Sequence, residues 1–296
     1  MAILPRMSTL YIVATPIGNL SDASPRSIEI LGAVDGILAE DTRRTRKLLA
    51  RFDLPTPLTS LHEHNEASRI PRVVERLDAG ENLALVSDAG APLVSDPGER
   101  LVRAVLDAGH TVVPVPGPSA IVTALMAAGF PTVPFSFHGF VPRKGKDRRI
   151  MLEDLGSATH TSVVFESPER LADLLKELVA LVAADRQVVV AREMTKIHEE
   201  FFRGTMAEAA RYYAENKARG EVTVVVSPHS PAEGSIEERK SVDEAAARAL
   251  ARALLDEGLT PSRAAREVSS RLGINKNAAY EIVHALEGGS EDGSEE

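Results

Sequence analysis

Leu83-Ala-Leu-Val-Ser-Asp-Ala-Gly-Ala-Pro-Leu-Val-Ser-Asp-Pro-Gly98 decides how the chain is read. Leu83 to Val86 is an apolar run of strand length. It breaks into Ser87, Asp88, Ala89, Gly90, Ala91 and Pro92, and a second turn signal, Ser95-Asp96-Pro97-Gly98, follows. Asp96 has the chemistry of a helix N-cap, with Pro97 at the first helical position and Glu99 completing a capping box. The spacing predicts a helix from Pro97 to Ala108. A strand that opens at its carboxyl end into a small-residue loop and then a helix is the βα unit of an open sheet. Such sheets bind ligands outside the carboxyl ends of their strands, and small side chains there let a ligand approach the backbone.

The same grammar recurs on both sides. Leu10 to Ala14 runs into Thr15-Pro16-Ile17-Gly18-Asn19, and Thr111 to Val115 runs into Pro116-Gly-Pro-Ser119-Ala120. Ile37 to Ala39 ends in Glu40-Asp41-Thr42. Helices are expected from Ser24-Pro25 to Val34, from Glu66 to Ala79 with Asn65 as N-cap, and from Ser119 to Ala128. Strands alternating with helices of this length mean βαβ units and a mostly parallel sheet.

Gly129 to Pro134 is a Gly- and Pro-rich boundary. Beyond it, Phe135–Phe140, Ser162–Glu166, Gln187–Ala191, Glu200–Gly204 and Glu221–Val226 read as strands. Ser167-Pro168 starts a helix with Leu171, Leu174, Leu175 and Leu178 at core spacing, and Thr205 with Glu208 forms a capping box for a helix to about Ala218. Pro142 to Arg149 reads as an exposed basic loop. The expected organisation is an α/β domain over 8–130, a second α/β domain over 134–228 and a linker over 229–240. A helical unit follows over 241–287, then a disordered acidic tail over 288–296. The helical unit has a helix-turn-helix pattern, with Gly273-Ile274-Asn275 as its tight turn.

Composition narrows the chemistry. The 296 residues carry no Cys and no Trp and a net charge of −9. Thiol catalysis, disulfides and thiolate zinc sites are excluded. No run approaches the length of a membrane span and no secretory signal is recognised, so a cytoplasmic location is expected. Two basic clusters stand against the acidic total: Arg43, Arg44, Arg46, Lys47 and Arg51 after one strand end, and Arg143, Lys144, Lys146, Arg148 and Arg149 in the basic loop. Each is a solvated face or a phosphate-facing patch. His62 and His64 have the i, i+2 spacing to bracket a metal, but no further ligand set with zinc-like spacing accompanies them, and no metal is expected.

Seven stretches occur together and in order: Leu10–Leu20, Glu40–Arg43, Ser87–Pro92, Ser95–Gly98, Pro114–Ala120, Phe137–Phe140 and Ala191–Lys196. With them, residues 8–228 closely resemble the ribosomal-RNA-modifying branch of the tetrapyrrole (corrin/porphyrin) methylase superfamily, and the helical unit also looks like that branch's. The resemblance implies a two-domain fold with a mainly parallel N-terminal sheet and a mixed C-terminal sheet. It implies S-adenosylmethionine as cofactor, methyl transfer to the ribose 2′-hydroxyl of a cytidine in the decoding region of 16S rRNA, and a homodimer. Cofactor contacts are then expected at Pro16, Ile17, Asp88, Ala89, Gly90, Ala91, Ser119, Ala120, Phe165, Ala191 and Arg192. The tetrapyrrole enzymes carry a Gly-Asp-Pro type loop where this chain has Ser87-Asp88-Ala89-Gly90.

A 2′-hydroxyl is a poor nucleophile, so a general base is expected. The polar groups at strand ends that could serve are Glu40, Asp41, His62, His64, Glu193 and Lys196. The RNA would meet the two basic clusters, extended by Ser262, Arg263, Arg266, Arg271, Lys276 and Asn277. Two other readings stay open: a methyltransferase acting on a tetrapyrrole, and a DNA-binding regulator whose α/β part senses a ligand.

Overall fold

Two adjacent strands, β1 (Thr9–Val13) and β4 (Leu83–Val86), lie at the centre of the first sheet. The computed structural model describes residues 8–182, 185–229, 246–272 and 276–287. These form two compact units, one ending at His229 and one beginning at Ser230.

In the first unit, β2 (Gly36–Ala39), β3 (Leu58–Ser60) and β5 (Thr111–Val115) join β1 and β4 in the order β3-β2-β4-β1-β5. Every pairing is parallel. Side chains alternate across a strand, so each short apolar run fills two cores at once. Ile37, Ala39, Ala84 and Val86 face α1 (Pro25–Ala33) and α2 (Thr42–Arg51). Leu38, Leu83 and Leu85 face α3 (Glu66–Asp78) and α4 (Glu99–Asp107). A parallel sheet covered on both faces has this continuous apolar composition.

The second sheet takes β6 (Phe135–Phe140), β7 (Thr161–Glu166), β8 (Gln187–Arg192), β9 (Glu200–Thr205) and β10 (Val222–Val226), in the order β6-β7-β10-β8-β9. β6 and β7 are parallel and the other pairs antiparallel, so the sheet is mixed. One face carries α6 (Lys146–Ser157), α7 (Leu171–Val179) and α8 (Met206–Glu215). The other packs on α5 (Ala120–Ala128), through Ala124, Leu125 and Ala128 against Val163, Val189 and Val225. The helix that follows the last strand of the first sheet thus builds the core of the second, and the two sheets belong to one unit. The α/β fold with its parallel first sheet agrees with the alternation of strands and helices, and the mixed second sheet with what the resemblance implies.

Local chemistry sets several boundaries as expected. Ser24 caps α1 by accepting from the Ser27 N–H (3.0 Å), with Pro25 in the first turn. Thr205 and Glu208 form the reciprocal capping box of α8, which ends at Glu215 rather than Ala218. Elsewhere the structure corrects the expectation. α4 begins at Glu99 behind Gly98, whose φ of +127° suits only glycine, so Asp96 caps nothing. Asn65 spends its side-chain oxygen on the His62 N–H (2.9 Å) and leaves α3 without a side-chain cap. Residues 146–149 are the first turn of α6, not loop. Ser167 and Pro168 lie in a turn, and α7 starts at Leu171. Neither β3 nor α6 was anticipated.

The second unit has α9 (residues 246–256), α10 (Pro261–Leu272) and α11 (Lys276–Glu287). They bury a separate core of Ala247, Ala251, Leu254, Ala264, Ala265, Val268, Ala279 and Val283. The linker from 230 to 240, the Gly273–Asn275 turn, the side chains of Lys276 and Asn277, and the 288–296 tail lie outside the described residues. No described helix is long and apolar enough to cross a membrane.

Candidate active site

The carboxyl ends of the parallel strands face one cavity of about 480 Å³. Ile17 reaches it from the loop after β1, Glu40 from the end of β2, Asp88 to Ala91 and Val94 to Asp96 from the loop after β4, and Ser119 to Ile121 from the start of α5. The opposite wall is Phe140 at the end of β6, Phe165 to Pro168 at the end of β7, and Gly220 to Thr223 entering β10. Because β10 runs antiparallel to β7, its beginning lies beside that strand's end, Val222 opposite Glu166.

The strand-end loops are tied to each other before any ligand arrives. Thr15 and Gly90 exchange both backbone hydrogen bonds (2.8 and 3.0 Å), and the Thr15 hydroxyl donates to the Ser87 carbonyl (3.2 Å). Gly90 therefore shapes the loop, at φ +85°, while its own N–H and C=O are occupied. The loop after β1 also meets the second sheet. Asn19 N–H donates to the Thr195 hydroxyl (3.1 Å), and a Cβ on Gly18 would collide with Lys196 Cγ.

The polar wall is acidic. Asp88 accepts from the Asp41 N–H (2.9 Å) and lies 3.6 Å from the Arg44 guanidinium. Burial raises the Glu40 carboxyl above its ordinary value, and the neighbouring Asp88 charge adds to this. Burial likewise pushes Asp96 up to about 6, aided by Glu40 and opposed by the nearby Ser87 hydroxyl. On the other wall Glu166 is fully buried. One carboxylate oxygen accepts from Ser167 N–H (2.7 Å) and pairs with Arg170. The other has no hydrogen-bond partner and lies 3.8 Å from Arg148. Burial raises this carboxyl too, against the pull of Ser167, Arg170 and Arg148.

Of the residues expected from sequence, Ile17, Asp88, Ala89, Gly90, Ala91, Ser119, Ala120, Phe165, Glu40 and Arg44 line this cavity. The others stand elsewhere. Pro16 is half-buried beside Ile17, and Ala191 is wholly buried under the wall. Arg192 pairs with Glu200 and donates to the Arg219 carbonyl (3.0 Å). Asp41 caps α2 and binds Arg43, which lowers its carboxyl to about 2. His62 and His64 pack edge to face at 6.0 Å, outside the lining, and among the described residues no group of three His, Cys, Asp or Glu could hold a metal. Burial disfavours the charge on Lys196, but its bonds to Glu193 (2.7 Å) and Glu221 (3.1 Å) outweigh this and raise its pKa. Burial acts to raise Glu193, yet the same ion pair and the Glu221 N–H lower it.

Arg43, Arg46 and Lys47 are exposed on α2, as are Arg143, Lys144, Lys146 and Arg149 around the start of α6. Arg148 is the exception. It is only 8% exposed and clamps Glu177 (3.0 Å) and the Pro142 carbonyl (2.9 Å). Asp96, Glu166 and Glu221 escaped the sequence reading. Asp96 was hidden behind turn chemistry, and the other two sit at strand ends with no motif of their own.

A family model described as Tetrapyrrole (Corrin/Porphyrin) Methylases matches residues 9–210. The chain belongs to that family. Among the methylase's relatives, a Synechocystis protein is 42% identical over 95% of this chain and 99% of its own length. A Xylella fastidiosa protein is 45% identical over 92% and 97%. A Thermotoga maritima protein is 48% identical over 75% of this chain and 99% of its own. All three are named Ribosomal RNA small subunit methyltransferase I. The methylase's fold is that of a solved cobalt precorrin-4 methyltransferase (TM-score 0.58, 19% identity, covering 74% of this chain and 94% of the other). It is also that of a uroporphyrin-III C-methyltransferase from Thermus thermophilus complexed with S-adenosyl homocysteine (TM-score 0.55, 18% identity, 74% and 97%).

Proposed function

We propose that this methylase transfers a methyl group from S-adenosylmethionine to the ribose 2′-hydroxyl of a cytidine in the decoding region of 16S rRNA, as a cytoplasmic homodimer. The observation that carries the RNA reading is the position of α2. It starts two residues after Glu40 in the cavity wall, brings Arg44 into the lining, and exposes Arg43, Arg46 and Lys47 beside it. A polyanion drawn to that helix is led to the cavity rim. Relatives aligned over nearly the whole chain carry a small-subunit rRNA name, which favours RNA over a macrocycle as acceptor. The outward Val122 and Met126 of α5, 52% and 81% exposed, offer an apolar face for self-association.

The cavity suits the donor. About 480 Å³ falls in the size range of small-molecule sites, roughly 300–1,000 Å³. Ile17, Phe140, Phe165 and Val222 offer apolar surface for a base, and Glu40 and Asp88 offer negative charge to a sulfonium and an ammonium. When bound, the donor supplies a methyl carbon activated by its cationic sulfur. The chain's own part is to hold the acceptor oxygen in line at near-attack distance, to shield the site with Phe140 and Phe165, and to receive one proton.

The test is transfer of labelled methyl to purified small subunits, naked 16S rRNA and a porphyrin precursor, followed by nucleoside analysis. Label recovered as 2′-O-methylcytidine is the expected result. Label on the macrocycle, or on a base rather than a ribose, overturns the reading.

A further inference from the structure

We propose that Asp96 is the general base of the reaction, taking the proton of the acceptor hydroxyl. The inference rests on the functional reading above.

The argument starts from the backbone. The loop from Leu93 to Gly98 could begin α4 at Asp96 with ordinary cap geometry. Instead Leu93 and Ser95 take φ of +72° and +67°, and Gly98 takes +127°. Both non-glycine residues sit in sparsely populated backbone conformations, and such strain persists where the surroundings impose it. They do here: a Cβ on Gly98 would lie 2.6 Å from Leu85, and one on Gly139 would lie 3.2 Å from the Ser95 hydroxyl. The result is that Asp96 walls the cavity rather than capping the helix.

Its surroundings match the task. Asp88 on the same loop is held by the Asp41 N–H and Arg44. Glu40 faces both aspartates from β2 and has His62 and Arg44 among its own charged neighbours. Burial, with the like charges of Glu40 and Asp88 added, brings Asp96 to about 6. A base near the working pH is ionised at neutrality yet basic enough to accept a proton in the transition state. Lys196 is held protonated, and Asp41 is too weak a base.

In the step, the O–H bond breaks and its proton passes to an Asp96 carboxylate oxygen. The freed pair forms the O–C bond to the methyl carbon, and the C–S pair stays on sulfur. Asp96 then returns its proton to water, which neutral pH favours.

Two measurements test this on the full chain. In protein labelled with ¹³C at the aspartate carboxyls and without substrates, one signal absent from Asp96→Asn should titrate near pH 6. Glu40→Gln should move it to lower pH, because a like charge is removed. In single-turnover formation of 2′-O-methylcytidine on small subunits, Asp96→Asn should lose about 10²-fold or more while calorimetry shows donor binding retained, and Asp96→Glu should recover part of the rate. A rate for Asp96→Asn within about tenfold of the parent overturns the inference, since general base catalysis is worth more than that. So does an Asp96 carboxyl that titrates in the ordinary range, or one that Glu40→Gln does not move. Failure of the functional reading looks different: the wild type itself then makes no 2′-O-methylcytidine.

Discussion

A carboxyl held near pH 6 weakens the fold that contains it. In the unfolded chain Asp96 returns to its ordinary value of 3.8, while in the folded protein it titrates at about 6. Between those values the folded state binds more protons, so this residue's contribution makes stability fall as pH rises from about 4 to 6 and leaves the penalty in place above. Asp96→Asn removes it. The variant should melt above the parent at pH 7.5, with the difference gone at pH 4. A lower melting temperature at neutral pH would show that the carboxylate stabilises the loop instead. Arg148 has the opposite balance. Its removal leaves Glu166 buried with less compensation, and Arg148→Ala should lower the unfolding free energy measured by urea titration by about 3 kcal/mol. Both residues show where sequence reasoning ends. Ser-Asp-Pro-Gly-Glu satisfies the local rules for a cap at Asp96, but the helix starts at Glu99 behind Gly98, which packs against Leu85 at a φ of +127°. Arg148 sits in a run of cations, and nothing local marks it as the one that turns inward.

The elements divide the same way. Strands with apolar runs and turn-rich ends, β1, β4 and β5, were legible because the runs have strand length and the loops that follow obey turn chemistry. β3 was not, since it is three half-buried residues on the sheet's edge. α6 was not, because its buried positions are Arg148, Leu152 and Leu155, and an arginine in the first core slot breaks the apolar period. The cavity's first wall was legible from the repeated strand-end loops. The wall from β7 and β10 depends on an antiparallel pairing that no single stretch displays. At this scale the two basic segments make different predictions. α2 exposes its cations at the cavity, so Arg46→Gln with Lys47→Gln should weaken binding to small subunits uniformly. It should also reduce the slope of log affinity against log salt by about 1 to 2. Arg143→Gln with Lys144→Gln tests the second segment in the same assay without disturbing the Arg148 clamp. An unchanged slope in either variant removes that segment from the footprint.

At the scale of the whole molecule, the core of the α/β part and the core of the helical unit share no member. The first draws on residues from Leu10 to Val226, the second on residues from Ala247 to Val283. Among the described residues, every one lining the cavity lies between Ile17 and Thr223. The Thermotoga relative carries the same name as the full-length relatives, although 221 aligned residues account for 99% of it. Under the proposed function the unit's exposed Arg263 and Arg266 on α10 are expected to hold RNA, and the chemistry is expected to survive without the unit. A chain ending at His229 should unfold cooperatively and bind S-adenosylmethionine with the affinity of the full protein. Its apparent affinity for small subunits should be lower, and the loss should shrink as salt is raised, because the contacts removed are charges on phosphate. Equilibrium unfolding, calorimetry and filter binding over a salt series read these three quantities. Equal affinity for subunits at every salt concentration would confine RNA recognition to the α/β part, and loss of cofactor binding would mean that the helical unit completes the cavity.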